Sequence, residues 1–278
     1  MSLKQLSMRI RSTTSTAKIT KAMKMVAAAK LKSAERMMLA ARPFAESTRM
    51  LFDGILTPDP EAEDYAAPES RVMLALSSDK GLCGGINSKV TKEIKLDIDK
   101  AVREGAAEPE VLILGSKVRD GLQRTHSKYI KTTMDEGYGK PVTFSLASFA
   151  AEQMLATPAD VYTLLGNRFK SVITQDVEAM QIKGPECLGG SGVLDEYEFE
   201  GEKENILANF YQFHLAVQLY SSILENVTSE QASKMTAMDS ATNNATDMIT
   251  KLTIIYNRRR QAKVTTELTE IVAGAESV

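Results

Sequence analysis

The sequence of 278 residues lacks several features that common functional classes require. Its two cysteines, Cys83 and Cys187, have no second Cys or His at metal-ligand spacing, which argues against a disulfide framework or a metal site. The two histidines, His126 and His214, are isolated. No apolar run approaches the roughly 20 residues of a membrane-spanning helix, and no secretory signal is visible. The sequence therefore predicts neither a disulfide-rich secreted domain nor a membrane-spanning protein.

The absence of glycine and proline from residues 202–273 predicts one very long helix, because these residues are the most costly in a helix interior. A continuous helix of this length would extend about 100 Å. Apolar residues recur at alternating intervals of four and three, which is typical of a coiled-coil seam. The seam positions are Ile206, Phe210, Phe213, Val217, Tyr220, Leu224, Val227, Gln231, Lys234, Met238, Ala241, Ala245, Met248, Leu252 and Ile255.

The partner helix is predicted at the N-terminus, because residues 1–42 also contain neither glycine nor proline. The alanine-rich stripe lets two helix axes approach closely. Its members are Thr20, Met23, Val26, Ala27, Leu31, Ala34, Met38, Ala41 and Ala45. We therefore expect an antiparallel coiled coil between helical regions 1–57 and 202–276. Because the second helix is the longer one, its last turns, from about Val264 onward, are expected to have no partner within the chain and to be exposed. The start of the chain is rich in Arg, Ser and Thr, as transit peptides are, but its continuation into the long helix favours mature structure.

Charge is distributed unevenly along a chain whose formal net charge is only −2. Residues 1–50 contain eleven Lys and Arg and two Glu, a net charge of +9. Such a segment is a solvated helix face, or it faces an acidic sleeve or nucleic acid. Nucleic acid is disfavoured, because no interleaved aromatic residues or known binding motif accompany the charges.

Short apolar segments alternate with helical patterns between residues 71 and 183, which predicts a Rossmann-like α/β domain with a mostly parallel sheet. The predicted strands are 71–78, 111–114, 129–133, 160–165 and 172–182. The predicted helices are 86–103, 118–124 and 146–155. A proline-rich, acidic linker over 57–70 precedes this domain, and a glycine-rich segment over 184–201 follows it.

The glycine-rich segment 77–87, SSDKGLCGGIN, is the only candidate for chemistry in this domain. A glycine turn after a strand can bind phosphate, but the sequence contains neither G-x-x-x-x-G-K-[ST] nor G-x-G-x-x-G. A tight turn between strand and helix is the favoured interpretation. Cys83 has no local base partner and is expected to be a small buried residue. The residues therefore predict no catalytic group, cofactor site or metal site.

Several segments together resemble the gamma subunit of F1 ATP synthase. They are RIRS at 9–12, KITKAMKMVAAAKLK at 18–32, the glycine turn at 77–87, 229–239, 256–261 and VTTELTEIVAGAES at 264–277. RTHS at 124–127 and NRFKSVI at 167–173 resemble the mitochondrial branch. The resemblance extends from end to end of the chain.

The resemblance implies a rotor shaft without a nucleotide site of its own. In this family the two terminal helices turn inside a ring of three alpha and three beta subunits, and the α/β domain lies near a membrane-embedded c ring, where delta and epsilon bind. Proton flow drives rotation and ATP synthesis, and ATP hydrolysis drives the reverse. The expected location is the matrix side of the mitochondrial inner membrane, peripheral to the bilayer.

The resemblance also implies individual contact residues. Those facing the alpha–beta ring are Met23, Lys24, Lys234, Arg260, Gln261, Thr265 and Glu267. Those at the c-ring foot are Tyr197, Phe199 and Glu200. Lys234 stands where many members have Arg, so its ion pair would be single-pronged, and Thr266 stands where many have Gln.

Two other functions are compatible with the residues. A non-rotary coiled-coil scaffold with an α/β binding domain would self-associate through the seam. An enzyme would use the turn at Gly81 to Gly85 to bind phosphate.

Overall fold

The structure is a computed structural model that describes residues 2–52, 54–58, 67–138, 141–188 and 198–276. The helices are α1 (Leu3–Leu51), α2 (Ile86–Glu104), α3 (Ser116–Leu122), α4 (Phe144–Leu155) and α5 (Lys203–Glu276). The strands are β1 (Arg71–Leu76), β2 (Pro109–Leu114), β3 (Ile130–Met134), β4 (Val161–Phe169) and β5 (Gln175–Lys183). Two 3-10 turns occur at Ser127–Tyr129 and Pro185–Leu188.

The five strands form one sheet in the order β3-β2-β1-β4-β5. β1 pairs in parallel with β2 and with β4, and β2 pairs in parallel with β3, while β5 is antiparallel to β4. The α/β class and the mostly parallel sheet are therefore confirmed. In a sheet of this order, the chain adds β2 and β3 on one side of β1 and then β4 on the other side. The crevice at the carboxyl ends of β1 and β4, where the order changes, is the usual ligand site of such folds.

One face of the sheet carries a compact apolar core beneath α2 and α3. Its buried members are Met73, Ala75, Val90, Ile94, Ile98, Val111, Ile113, Val118, Leu122 and Leu165. In α2 the apolar residues recur at intervals of three and four, so one stripe of the helix faces the strands. On the other face, Tyr162 of β4 contacts Tyr211 of α5, with ring centroids 6.5 Å apart. The sheet is therefore covered on both sides, which parallel sheets require.

Several element boundaries differ from those predicted, and two of the differences have a direct structural reason. The predicted strand over 172–182 begins at Gln175, because the preceding residues close a hairpin. The backbone N–H groups of Lys170 and Ser171 donate to the Thr174 carbonyl at 3.3 and 3.0 Å. At the other end of the chain, α1 continues through Pro43, which is exposed, and ends at Leu51, so residues 52 and 54–57 are not part of the helix. Pro43 removes one helical N–H donor, and Leu39, whose carbonyl loses that donor, also lies on the exposed face.

The chain divides into two compact units. One is Met1–Ala28 with Met235–Val278, and the other is Ala29–Lys234. In the first unit, α1 and α5 are antiparallel. The hydroxyls of Thr20 and Thr242 are 2.8 Å apart, and Lys24 Nζ lies 2.7 Å from Asp239 Oδ1. Residue numbers therefore increase along α1 in the direction in which they decrease along α5.

The same orientation holds within the second unit. Gln218 Nε2 donates to the Ala45 carbonyl at 2.9 Å, and the rings of Phe52 and Phe210 are 4.9 Å apart. The antiparallel pairing of the terminal helices is therefore confirmed. Most of the predicted N-terminal stripe is also buried as expected: Thr20, Ala27, Leu31, Ala34, Met38 and Ala45.

The predicted seam is wrong at several positions, because Val26, Phe213, Met248 and Ile255 are exposed. A strict spacing of 3.5 residues drifts by about 20° per heptad from a straight α-helix. In the second unit α5 contacts both α1 and the sheet. Its buried face is therefore wider than a two-helix seam and includes Leu207, Tyr211, His214, Leu215 and Leu219.

Candidate functional site

The end of α5 presents an uncovered apolar stripe. Every residue from 257 to 275 is exposed. Val264, Leu268, Ile271 and Val272 follow the intervals 4, 3 and 1, so their side chains share one side of the helix. An exposed apolar stripe of this kind marks a surface that binds another protein. The exposure expected for the last turns of the shaft is confirmed.

The four predicted contact residues of this region lie on the same half of the helix as the apolar stripe. At about 100° per residue, Arg260, Gln261, Thr265 and Glu267 fall within roughly 160° of arc together with it. All four are exposed. Thr265 donates its hydroxyl to the Gln261 carbonyl at 3.0 Å, and Lys263 Nζ lies 3.3 Å from Glu267 Oε1. The result is an apolar surface with a polar margin.

In the first unit, the predicted contact Lys24 lines a basic groove between α1 and α5, and the predicted contact Met23 precedes it on α1. Met23 is half-buried. Lys24 is already paired with Asp239, although both side chains remain more than two-fifths exposed. The groove is lined further by Lys18 and Lys21. Sequence reasoning missed Asp239, because only the fold brings it opposite a lysine that is 215 positions away.

Lys234, the remaining predicted ring contact, belongs to the second unit. Its Nζ lies 3.0 Å from Glu230 Oε1, one helical turn away, and its side chain is only 13 % exposed. The structure therefore places this lysine in a shielded ion pair within α5. The expected partner was a group of another subunit, and that role of Lys234 stays a prediction.

The predicted foot residues are only partly described. Tyr197 lies outside the described residues. Phe199 is half-buried and Glu200 is exposed. The Phe199 ring lies 5.5 Å from Lys203 Nζ, which fixes the ring next to the first turn of α5 by a cation–π contact.

The glycine turn has the features of a structural turn. The Ser78 N–H donates to Asn87 Oδ1 at 3.1 Å, and Asn87 Nδ2 donates to the Ser78 hydroxyl at 2.8 Å. These groups are therefore engaged with each other. Cys83 is buried, and burial raises the pKa of its thiol, which opposes formation of the reactive thiolate. Ser233 of α5 donates to the Cys83 carbonyl at 2.6 Å, so the turn holds α5.

The buried polar contacts between α5 and the rest of the second unit were not predicted. Glu225 and Asn226 interrupt the apolar sequence of α5, and both are buried. Glu225 binds Arg42 of α1, and Asn226 binds Asn167 of β4. A charged residue beside seam position Leu224 was the available signal, but its partners cannot be read from the sequence.

The described residues also bear on metal binding and on insertion into a membrane. Within these ranges, no cluster of three or more His, Cys, Asp or Glu side chains is arranged to bind a metal ion. None of the described helices combines the length and apolar character needed to cross a bilayer.

Comparison with known proteins shows the family. The family described as ATP synthase matches residues 2–278. The chain is 38% identical over 289 residues to the ATP synthase gamma chain of Dinoroseobacter shibae and 39% identical over 294 residues to that of Paramagnetospirillum magneticum. These alignments cover 99% and 100% of this chain, respectively, and 99% of each relative.

Solved structures agree with this result. The central stalk and c-ring structure of Tetrahymena thermophila mitochondrial ATP synthase contains a chain with 28% identity and a TM-score of 0.65, over 80% of this chain and 99% of that one. A chain of Euglena gracilis mitochondrial ATP synthase shares the fold at 18% identity, with a TM-score of 0.82 over 99% of this chain and 94% of that one. The chain therefore belongs to the family of ATP synthase gamma chains.

Proposed function

We propose that this chain is the central rotor shaft of an F1Fo ATP synthase. In this role it couples proton-driven rotation of the c ring to conformational cycling of the three catalytic beta subunits, and ATP hydrolysis drives the reverse rotation. The observation that carries the proposal is the full-length match to gamma chains, which extends through the exposed end of α5. The chain is a non-catalytic subunit, and its partners are alpha, beta, delta, epsilon and the c ring.

The proposed ring contact consists of the end of α5 and the basic groove of the first unit. Arg260, Gln261, Thr265 and Glu267 surround an apolar stripe that can slide against a sleeve, because apolar contacts have no preferred direction. Met23 is flexible and adapts to changing neighbours. Lys24, and Lys234 of the second unit, complete the proposed contact, although each is already paired within the chain, with Asp239 and Glu230 respectively.

The proposed c-ring foot is formed by Tyr197, Phe199 and Glu200. What supports it is the resemblance to the family in this region, together with the exposed Glu200 carboxylate and the partly exposed ring of Phe199. The corresponding division of the chain is an N-terminal coiled-coil helix in 1–57, an α/β domain in 71–183 and a C-terminal coiled-coil helix in 202–276.

We also propose that the protein belongs to the mitochondrial branch and works at the matrix side of the inner membrane. The segments 124–127 and 167–173 support this assignment, as does the mitochondrial source of the solved structure that is 28% identical. The relatives reported above are bacterial, so the mitochondrial assignment requires an independent test. Fractionation of the source cells, with detection of the chain in purified mitochondria, tests the assignment.

The rotor and the scaffold functions differ in stoichiometry. A rotor occurs once per three alpha and three beta subunits, whereas a scaffold that self-associates through the seam occurs in two or more copies. Val217 and Leu224, two seam residues of the second unit, are buried within a single chain, which favours the rotor. Native mass measurement of the purified complex is expected to give one copy, and two copies would overturn the proposal.

The ring contact makes a prediction at Arg260. Replacing Arg260 with alanine is expected to lower ATP hydrolysis by the assembled complex several-fold, because it removes a cation from the margin of the apolar stripe. Arg259 is the matched control, since at about 100° per residue it points away from the stripe. Arg259→Ala is expected to retain the activity of the unaltered complex. Equal effects of the two substitutions would show that this half of the helix is not the contact surface.

A further inference from the structure

Within the second unit, a row of polar side chains on α5 binds the carboxyl edge of the sheet. The row consists of Glu225, Asn226, Ser229 and Ser233, which lie on one face because at about 100° per residue they fall within roughly 100° of arc. Glu225, Asn226 and Ser229 are buried. Buried polar side chains are costly unless they are paired, so their partners determine what the row does.

Glu225 joins three elements. Its carboxylate accepts the Phe169 N–H of β4 at 2.9 Å and two donors of Arg42, Nε at 2.5 Å and Nη2 at 3.0 Å. Arg42 Nη2 also donates to the Phe169 carbonyl at 2.8 Å. The bidentate pair and the two backbone bonds therefore fix α1 and α5 on the end of β4.

Asn226 and Ser233 bind β4 and the segment that follows β1. Asn226 Nδ2 donates to the carbonyl of Ser77, just after β1, at 3.2 Å, and Asn226 Oδ1 accepts Asn167 Nδ2 at 2.8 Å. Ser233 donates to the Cys83 carbonyl at 2.6 Å. The row thus fills the crevice between the carboxyl ends of β1 and β4, where α/β proteins of this strand order usually bind ligands.

These bonds restrict the motion that apolar packing would allow. Apolar contacts are roughly proportional to area and indifferent to direction, so a helix held by them alone can roll or slide by small steps. Hydrogen bonds weaken steeply when their angle changes. Because four of these bonds end on backbone groups of Phe169, Ser77 and Cys83, which cannot rotate as side chains do, the row holds α5 at one rotation angle and one position along the sheet.

We propose that this row, together with Arg42, is the joint that transmits torque between the α/β domain and the segments of α1 and α5 within the second unit. The proposal rests on the rotor function. If the α/β domain is turned by the c ring, the load must pass to the helices through contacts that resist rolling, and the polar row supplies them. Arg42 and Glu225 are positioning residues and touch no substrate.

The test uses the complete ATP synthase, with this chain in place, reconstituted in lipid vesicles. ATP hydrolysis and ATP-driven proton uptake are measured on the same preparation. Glu225→Gln keeps the side-chain volume and removes the charge that binds Arg42. We expect hydrolysis to persist while the ratio of proton uptake to hydrolysis falls at least about fivefold, since the joint then yields under load.

The matched control is Glu178→Gln. Arg168 Nη1 donates to both carboxylate oxygens of Glu178, at 2.9 and 3.0 Å, across the β4–β5 hairpin. The Glu178 side chain is 42 % exposed. Surface pairs contribute little, so this variant is expected to keep the ratio of the unaltered complex. An unchanged ratio in Glu225→Gln, even with a lowered melting temperature, would show that the row is merely structural and would overturn the proposal.

Two further variants test the proposal if the complex with Glu225→Gln does not assemble. Arg42→Met/Glu225→Met removes both charges together, and Ser233→Ala removes a single bond without leaving a buried charge. A lowered ratio in both variants supports the joint, and a normal ratio in either overturns it. Failure of the rotor function itself is distinguishable, because the unaltered complex would then show no ATP-driven proton uptake that depends on this chain.

Discussion

Replacement of Leu224 with alanine is expected to lower the free energy of unfolding of the full chain by about 2–5 kcal/mol. Leu224 is 1% exposed in the single chain, on the face of α5 that carries the buried apolar residues. Alanine would leave a cavity that close-packed neighbours fill only in part. Urea denaturation measures the effect as a lower midpoint, and an unchanged slope would show that the denatured state is not altered.

Ile254 provides the matched control on the same helix. Its side chain is 63% exposed, so Ile254→Ala is expected to change stability by no more than about 0.5 kcal/mol. If Leu224→Ala were as stable as the unaltered chain, the burial of the seam would not contribute to folding. If its cost depended on protein concentration, a second copy would supply the packing, as a self-associating scaffold requires.

The long helices and the sheet could be predicted because their signals are local. The absence of glycine and proline from 202–273 predicts α5 without any knowledge of tertiary structure. The apolar segments 71–78 and 111–114 similarly predict β1 and β2, and the helices between strands predict parallel pairing. The sequence also predicted the exposure of Val264 and Leu268, because a helix longer than its partner has turns left uncovered.

The joint between α5 and the sheet could not be predicted, since it depends on residues far apart in the chain. Arg42 and Glu225 are 183 positions apart. A pattern of four and three identifies which residues are apolar, but Glu225 and Asn226 look like interruptions of that pattern until β4 lies beside them. Phe213 shows the opposite error. The spacing assigns it to the seam, but its side chain is exposed, because the buried face of α5 is centred on other residues.

Acidification is expected to destabilise the chain through His214. This side chain is 2% exposed and lies against the Phe52 ring, with centroids 4.7 Å apart. Among the described residues, its Nδ1 has no hydrogen-bond partner. Burial lowers the pKa of His214 to about 4, which outweighs the opposing effect of a backbone bond to Thr48. The folded chain therefore holds a neutral imidazole.

The sign of the effect follows from proton binding in the two states. Above about pH 6.5 the imidazole is neutral in both the folded and the unfolded chain, and the stability associated with this group is fully present. As the pH falls from about 6.5 towards 4, the unfolded chain binds a proton that the folded chain does not bind. Stability is lost across this window, by roughly 3 kcal/mol once the pH is below the folded pKa, at about 1.4 kcal/mol per unit.

The measurement is the free energy of unfolding by urea at several pH values between 7.5 and 4, for the unaltered chain and for His214→Phe. Other groups titrate in the same range, so the difference between the two chains isolates His214. Phenylalanine preserves an aromatic ring beside Phe52 and cannot bind a proton, and the difference should therefore shift in its favour as the pH falls. A constant difference between His214→Phe and the unaltered chain would mean that the folded protein admits the proton, and that the contact of α5 with Phe52 is looser than the structure indicates.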